Sequence, residues 1–263
     1  MISNLQYNDT STSIVEILNK TVSFQKDTWS AFSKEMTIDA VLKEIHSNKY
    51  KVQVQNLRSL LKTNKKEEYN SHKRTLPAVT FCGIFDGERK KSKIKKYNSV
   101  IVLDVDKLGE KLLDKVKECF HNDPFVFSFW ESPSKEGVKG LVSITYNFEL
   151  NYDNLDRAHK GAYIRLTNYF KEKYNIELDN SGSDITRLCF LTHDPQITTK
   201  DTISPFNITE KDILPTDDSK KTSIKVELKF GSNRDAKYNP SKRNAPSDRY
   251  TIAAIIRFLE KKK

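Results

Sequence analysis

Residues 99–108 have the sequence Ser99-Val100-Ile101-Val102-Leu103-Asp104-Val105-Asp106-Lys107-Leu108. Between Val100 and Val105 every residue except Asp104 is β-branched or leucine, so we expect a central strand buried on both faces. Strand side chains alternate between two faces, so Asp104 and Asp106 are predicted to project from the same face. Two neighbouring anions on an apolar strand repel each other and resist desolvation, and a bound divalent cation removes that difficulty. The stretch therefore predicts a metal site at the end of a buried strand.

A purely structural explanation of the same two acids stays open. A helix is predicted from Gly109 to His121, so Asp106 can serve as a helix cap and Asp104 as a polar strand end. An Asp-x-Asp pair alone does not decide between these roles.

The charge of the chain is distributed unevenly. The chain has 263 residues and a formal net charge of +10, and residues 216–263 contain 13 Lys and Arg against 6 Asp and Glu. A second basic block, residues 89–96, lies just before the Asp-x-Asp strand. This pattern favours a polyanionic partner, although a solvated basic tail is the commoner explanation of such runs.

The cysteines and the hydropathy pattern indicate a soluble, cytoplasmic protein. Cys82, Cys119 and Cys189 lie in apolar sequence without metal-ligand spacing, as expected of reduced thiols. No apolar run approaches the roughly 20 residues needed to cross a bilayer, and the N-terminus lacks a signal-peptide pattern. We expect no membrane association.

The order of predicted elements indicates an α+β fold, with a mixed β-sheet and helices packed on one side. The central strand, the helix after it and a strand at 125–130 form a strand–helix–strand unit, for which parallel pairing with a right-handed crossover is expected. Other helices are predicted at 37–45, 51–61, 66–73 and 153–174, and other strands near Val22 and Phe24, at 78–85, at 141–146 and around 188–191.

Three segments are expected to meet at one end of this sheet: the Asp104/Asp106 strand, the loop 132–140 and the segment 179–187. They offer carboxylates for metal ions, a Ser- and Gly-rich turn for phosphate, and cationic side chains at Lys139 and Arg187. This set is typical of phosphoryl transfer, where catalysis depends on positioning and charge neutralisation.

The order of these motifs resembles the catalytic core of the archaeo-eukaryotic primase superfamily, the primase-polymerases. The likeness is closer to the VirE N-terminal or BT4734-like branch and covers roughly residues 30–200. It is carried by Leu76-Pro77-Ala78-Val79-Thr80-Phe81-Cys82-Gly83, Val102-Leu103-Asp104-Val105-Asp106-Lys107-Leu108, Ser132-Pro133-Ser134 with Gly137-Val138-Lys139, and Asp184-Ile185-Thr186-Arg187-Leu188-Cys189-Phe190-Leu191 with Asp194-Pro195.

The resemblance implies a metal-dependent nucleotidyltransferase with an RRM-like catalytic core. Asp104 and Asp106 would be ligands of two divalent metal ions, Mg²⁺ or Mn²⁺, that align a 3′-hydroxyl with the α-phosphate of an incoming nucleotide, and a third acid would join them. Asp184, which fits the compact Asp-x-x-Arg pattern, is favoured as that acid. Asp179, which follows a helix and a short apolar stretch, is the alternative, so both are candidate metal ligands. The triphosphate would be held by Ser132, Ser134, Lys139 and Arg187.

The resemblance also implies an organisation and a set of partners. Residues 1–98 would form an N-terminal α/β subdomain packed on a catalytic core at 99–215. The composition after Pro215, rather than the resemblance, predicts a basic linker with the start of a C-terminal helical region at 216–263. The partners would be a single-stranded DNA template, nucleoside triphosphates and a helicase domain or protein.

Lys139 departs from the family pattern, because the superfamily's second motif usually has a histidine there. A lysine is a point charge rather than an imidazole donor, so the alternative is a catalytically reduced module that binds single-stranded DNA beside a helicase. A metal-dependent nuclease is a third possibility, although the sequence lacks the further Glu or Lys base that such enzymes commonly show.

Several of these residues also have purely structural explanations. Arg187 can pair with Asp104 or Glu131, and Asp184 can cap a local turn. The remaining structural explanations are a turn at Asp194-Pro195, a position at a strand end for His193, and core positions for Phe129 and Trp130.

Overall fold

A computed structural model describes residues 13–213. The predicted basic linker and C-terminal helical region at 216–263 lie outside the described residues. The described chain mixes helices and strands, so the α+β prediction is confirmed. The helices are α1 (Ile14–Leu18), α2 (Ile38–His46), α3 (Lys51–Lys62), α4 (Lys66–Lys73), α5 (Glu110–Asn122) and α6 (Leu155–Tyr174). The strands are β1 (Thr21–Gln25), β2 (Phe32–Thr37), β3 (Ala78–Thr80), β4 (Gly83–Phe85), β5 (Ile94–Tyr97), β6 (Val100–Val105), β7 (Val126–Glu131), β8 (Val138–Tyr146), β9 (Cys189–Phe190), β10 (Thr198–Thr199) and β11 (Phe206–Ile208).

The main sheet is built around β8. Both β6 and β7 pair with β8 in antiparallel register, and β11 pairs with it in parallel at Ile144–Tyr146. The outer strand β10 pairs with β7. The unit β6-α5-β7 is therefore a split β-α-β arrangement, with β8 inserted between its two strands.

The expected parallel pairing of the two strands around α5 is wrong, because β8 separates them. The physical reason is the tight turn that follows β7. The backbone N–H of Ser132 donates to the carbonyl of Gly137 at 2.8 Å, so β8 begins at Val138 rather than at Leu141. The chain thus returns directly beside β7 and also pairs with β6 along its other edge.

A second sheet and a hairpin surround this unit. The second sheet has the strand order β2-β1-β3-β9, with all pairings antiparallel, and β4 pairs with β5. The predicted helix start at Thr37 is confirmed, since the Thr37 hydroxyl accepts from the backbone N–H of Ala40 at 3.1 Å. Helix α5 is capped by Gly109, so Asp106 is not its cap.

Strand β6 is buried on both faces, as predicted. Ile101 and Leu103 belong to one core cluster together with side chains of α5 and α6. Val100 and Val102 contact a different cluster, formed with side chains of the second sheet and α2. The sequence predicts helices on one side of the sheet only. This prediction is wrong, because α5 and α6 pack on one face of β6 and α2 contributes to the cluster on the other face. Because strand side chains alternate, Asp104 lies on the same face as Val100 and Val102, toward the second sheet.

The second core cluster joins residues from both sides of the predicted boundary at residue 98. It contains Val79 and Phe81 of the N-terminal segment as well as Phe127, Trp130 and Leu141 of the main sheet. The two parts thus share buried apolar surface, and the domain boundaries at 98 and 215 stay predictions.

Candidate metal and phosphate site

Asp104 is the buried acid of the site. It stands opposite Lys139 in the β6–β8 register, and the Lys139 Nζ lies 2.5 Å from Asp104 Oδ2. Each of these side chains is only 9% exposed. The other carboxylate oxygen, Oδ1, is buried and has no hydrogen-bond partner within the described part of the chain. An unsatisfied, buried carboxylate oxygen is costly without a partner and is a suitable ligand for a hard cation.

Asp106 follows the strand at the open side of the site. Asp106 as a whole residue is exposed. Its pKa is nevertheless raised, first by desolvation of the carboxyl group and second by the negative charge of the nearby Asp104. The neighbouring hairpin approaches it closely at Gly137. A Cβ at Gly137 would lie 2.5 Å from the Val105 carbonyl oxygen and 2.8 Å from Asp106 Oδ1. Only glycine fits this approach, so the turn and the acid occupy fixed relative positions.

Asp179 reaches the pair from a distant part of the chain. Its backbone N–H donates to the carbonyl of Asp104 at 2.8 Å, and the Tyr163 hydroxyl of α6 donates to the Asp179 carbonyl. Its side chain accepts from the Ser181 N–H at 2.9 Å. Burial alone would raise the pKa of Asp179, but the Ser181 hydrogen bonds and the charges of Arg187 and Lys139 outweigh it, so the pKa is lowered.

These three acids form one group. Asp104, Asp106 and Asp179 each offer a carboxylate oxygen, and the three oxygens lie within 4.8 Å of one another. Such a group can bind a divalent ion through three oxygen ligands. We call it the acid triad.

Asp184 is placed apart from the acid triad. Its carboxylate accepts from the backbone N–H of Thr186 at 2.9 Å and from the Thr186 hydroxyl at 2.9 and 3.0 Å. Of the two aspartates considered as the third acid, the structure therefore groups Asp179 with the pair. The spacing to Arg187 favours Asp184 in the sequence, whereas in the structure the Asp179 backbone is hydrogen-bonded directly to β6.

Two further cations lie near the acid triad without an ion pair inside residues 13–213. Arg187 is exposed, and its charge contributes to the lowered pKa of Asp179. Lys73, at the end of α4, interacts electrostatically with Asp106 and Asp104. Burial and the charge of Lys139 lower the pKa of Lys73.

Sequence reasoning missed Lys73. Its Nζ lies 5.7 Å from the centre of the Phe190 ring and 5.9 Å from that of Tyr69. A buried Tyr69 four residues before Lys73 on a polar helix was an available signal, because these positions share one helix face. Nothing local showed that this face meets β6.

The predicted phosphate-binding serines hold the hairpin turn together. The hydroxyls of Ser132 and Ser134 are 3.0 Å apart, and the Ser134 hydroxyl also accepts from the Glu136 N–H at 3.1 Å. Ser132 is 3% exposed. The pKa of Tyr69 is raised, mainly by burial, while a hydrogen bond with Ser134 opposes this shift. The turn thus lies against the α4 side of the site.

The considered pairing of Arg187 with Glu131 does not form. The Glu131 carboxylate pairs with other cations instead. Its Oε1 accepts from Lys117 Nζ at 2.5 Å, and its Oε2 lies 3.9 Å from Arg58 Nη2. The alternative pairing with Asp104 is taken by Lys139. Arg187 thus stays available at the surface beside Asp179.

The core positions of Phe129 and Trp130 and the turn at Asp194-Pro195 are confirmed, whereas His193 lies three residues beyond the end of β9 rather than at a strand end. His193 Nδ1 lies 2.9 Å from the Ser47 carbonyl oxygen, and Trp130 is fully buried. Asp194 accepts from the backbone N–H groups of Glu131 and Gln196, at 2.8 and 2.9 Å, as a turn residue.

Residues 13–213 contain no helix with the length and apolarity required to span a bilayer. Searches of curated proteins and of solved structures each returned no significant match. Residues 71–198 match the family model described as BT4734-like, N-terminal domain. That range includes the acid triad, Lys73, Lys139 and Arg187. Over residues 71–198, this chain is therefore similar to the N-terminal domain of the BT4734-like family.

Proposed function

We propose that this protein is a metal-dependent nucleotidyltransferase, a primase-polymerase that extends a strand on a single-stranded DNA template from nucleoside triphosphates. The observation that carries the proposal is the acid triad with its unpartnered Asp104 oxygen, placed beside two cations that make no ion pair within residues 13–213. Phosphoryl transfer needs these two kinds of group side by side.

The residues divide into those for the metal ion and those for the phosphates. Asp104, Asp106 and Asp179 would hold Mg²⁺ or Mn²⁺, which would supply charge neutralisation at the α-phosphate and activation of the primer 3′-hydroxyl. Lys73 and Arg187 would contact the triphosphate, because their charges are not matched by an ion-pair partner in the described chain. Ser132 and Ser134 would shape the turn beside the phosphates.

Two further observations support the proposal. The family match covers every residue assigned here, and a split β-α-β unit positions Asp104 and Asp106 at the end of β6. The order of the sequence motifs resembles that of the primase-polymerases, and this resemblance is the basis for proposing nucleotidyl transfer as the reaction. The single-stranded template, the nucleoside triphosphates and the helicase partner follow from that resemblance.

The experiment is primer extension with Mn²⁺ and labelled nucleotides on a single-stranded template. Asp104→Ala and Asp106→Ala are each expected to abolish metal-dependent incorporation while the protein remains folded by circular dichroism. Asp114→Ala, at an exposed aspartate of α5, is the matched control and should incorporate like the unmodified protein. Full activity of the Asp104→Ala, Asp106→Ala double variant would refute the proposal.

A second candidate function is favoured by one observation, the buried ion pair of Lys139 with Asp104. An ammonium that already neutralises a catalytic acid is compatible with a primase-like module that has lost catalysis and only binds single-stranded DNA. This alternative predicts salt-sensitive DNA binding without nucleotide incorporation at any Mn²⁺ concentration. The same extension assay, combined with DNA binding measured at two salt concentrations, separates the two functions.

A further inference from the structure

The ion pair between Lys139 and Asp104 has an unusual position for a metal site. Lys139 lies on the central strand β8, directly opposite Asp104 in the sheet register, so the backbone holds the two side chains together. Its ammonium lies 2.5 Å from Asp104 Oδ2, and both side chains are more than nine-tenths buried. The pair is therefore built into the sheet rather than formed by flexible surface groups.

This arrangement leaves Asp104 with one free oxygen. Oδ2 is occupied by the ammonium, while Oδ1 is buried and has no hydrogen-bond partner in the described chain. The remaining oxygen ligands of the group come from Asp106 and Asp179. One divalent ion can thus use Oδ1 together with one oxygen from each of the other two acids.

A second divalent ion meets an obstacle at the same place. Two-metal sites hold their ions about 3.5–4 Å apart and commonly share a carboxylate between them. To share Asp104, the second ion would have to bind Oδ2, next to the Lys139 ammonium. The like charges would repel each other with little solvent between them, so the repulsion would be weakly screened.

We infer that the Lys139 ammonium takes the place of a second cation, and that the acid triad binds a single divalent ion. This inference rests on the metal site of the proposed function but not on strand extension, since bound ions can be counted without any nucleotide. Lys139 is then a positioning residue that fixes and neutralises one half of Asp104, rather than a ligand of the triphosphate.

The test is a titration of the full chain with Mn²⁺ alone, with bound ions counted by electron paramagnetic resonance. The unmodified protein is expected to bind one Mn²⁺ with the spectrum of an isolated ion, and Asp104→Asn should lose it. Lys139→Met should gain a second ion with spin coupling to the first. Lys111→Met, at an exposed lysine of α5, is the matched control and should still bind one ion.

Two results would overturn the inference. One is a spin-coupled pair of ions in the unmodified protein, a measurement that holds even if Lys139→Met does not fold. The other is a folded Lys139→Met variant that still binds only one ion. If one ion binds as expected but no nucleotide is incorporated, the inference stands and the proposed polymerase activity fails.

Discussion

Lys73 and Lys139 differ in what their ammonium groups contact. Lys139 is paired with Asp104 inside the sheet, whereas Lys73 makes no hydrogen bond or ion pair within residues 13–213 and lies over two aromatic rings. Burial and the nearby charge of Lys139 lower the pKa of Lys73 more than the charges of Asp106 and Asp104 raise it, so its charged form is only partly compensated. A phosphate group would supply that compensation, which makes Lys73 the better candidate for contact with the triphosphate.

Replacing Lys73 should therefore affect nucleotide binding rather than metal binding. We expect Lys73→Met to raise KM for the nucleoside triphosphate about 30-fold, since a hydrogen bond to a charged group contributes about 2 kcal/mol. Mn²⁺ binding without nucleotide should not weaken. Lys66→Met, at an exposed lysine of the same helix, is the control and should keep the original KM. An unchanged KM in Lys73→Met would exclude Lys73 from phosphate binding.

His159, which is not one of the acid-triad residues, makes the free energy of unfolding depend on pH. Burial lowers the pKa of His159 to about 4, and its Nδ1 lies 2.9 Å from the Tyr97 hydroxyl oxygen. Between pH 6.5 and 4 the unfolded chain binds this proton and the folded protein does not, so the free energy of unfolding falls as pH falls. The expected loss from this group over that range is roughly 3 kcal/mol.

The measurement is urea unfolding at several pH values between 6.5 and 4. His159→Gln should show a smaller loss of stability with acid than the unmodified protein, because Gln does not titrate. His72→Gln, at an exposed histidine, serves as the control and should follow the unmodified protein. Identical pH profiles for His159→Gln and the unmodified protein would contradict this assignment.

At the scale of elements, the β7–β8 hairpin positions the site. Its turn closes through the hydrogen bond from Ser132 to Gly137 and brings β8 between β6 and β7. The same hairpin places Lys139 opposite Asp104 and packs Gly137 against Asp106. A change in this turn should therefore affect both the stability of the sheet and the proposed binding of a metal ion by the acid triad.

Gly137→Ala tests this coupling. The added Cβ would lie 2.5 Å from a backbone oxygen of β6, so the strand or the turn must shift, at a cost of about 1–3 kcal/mol. We expect a lower urea midpoint and weaker Mn²⁺ binding, because Asp106 moves with the turn. Gly109→Ala is the control, since a Cβ there has no atom within 4 Å. It replaces the N-cap of α5, which costs about 1 kcal/mol at most, and should leave Mn²⁺ binding unchanged. Equal effects of the two substitutions would show that the close approach is unimportant.

At the scale of the whole molecule, one core cluster connects the second sheet to the main sheet. The rings of Phe81 and Trp130 lie 5.8 Å apart within it, on opposite sides of the predicted boundary at residue 98. The other face of the main sheet packs on α5 and α6 through a separate cluster. Because Asp104 lies on the face toward the second sheet, whereas Asp179 is bonded to Tyr163 of α6, the geometry of the acid triad depends on the packing at both faces.

The shared cluster predicts that both sheets unfold together. In a Trp29→Phe background, which leaves Trp130 as the single tryptophan of the chain, Trp130 fluorescence and far-ultraviolet circular dichroism should give the same urea midpoint. Phe81→Ala should lower that midpoint for both probes, at a cost of about 3–5 kcal/mol. Separate midpoints for the two probes would show that the two parts unfold independently.

The sequence by itself determined the features that depend on near neighbours along the chain. The burial of β6 on both faces and the shared face of Asp104 and Asp106 follow from the alternation of strand side chains, and α4 matches its predicted bounds. Helix caps such as Thr37 are equally local, because a cap contacts residues within one turn.

Only the tertiary structure decided which distant groups meet. The insertion of β8 between β6 and β7, the grouping of Asp179 with Asp104 and Asp106, and the approach of Lys73 all join residues far apart in sequence. The physical reason is that sheet register and interface packing set these contacts, and the register of β8 in turn depends on where one tight turn closes. Local sequence patterns predict which chemical groups lie at the end of β6, whereas the packing of the sheets determines which distant groups contact them.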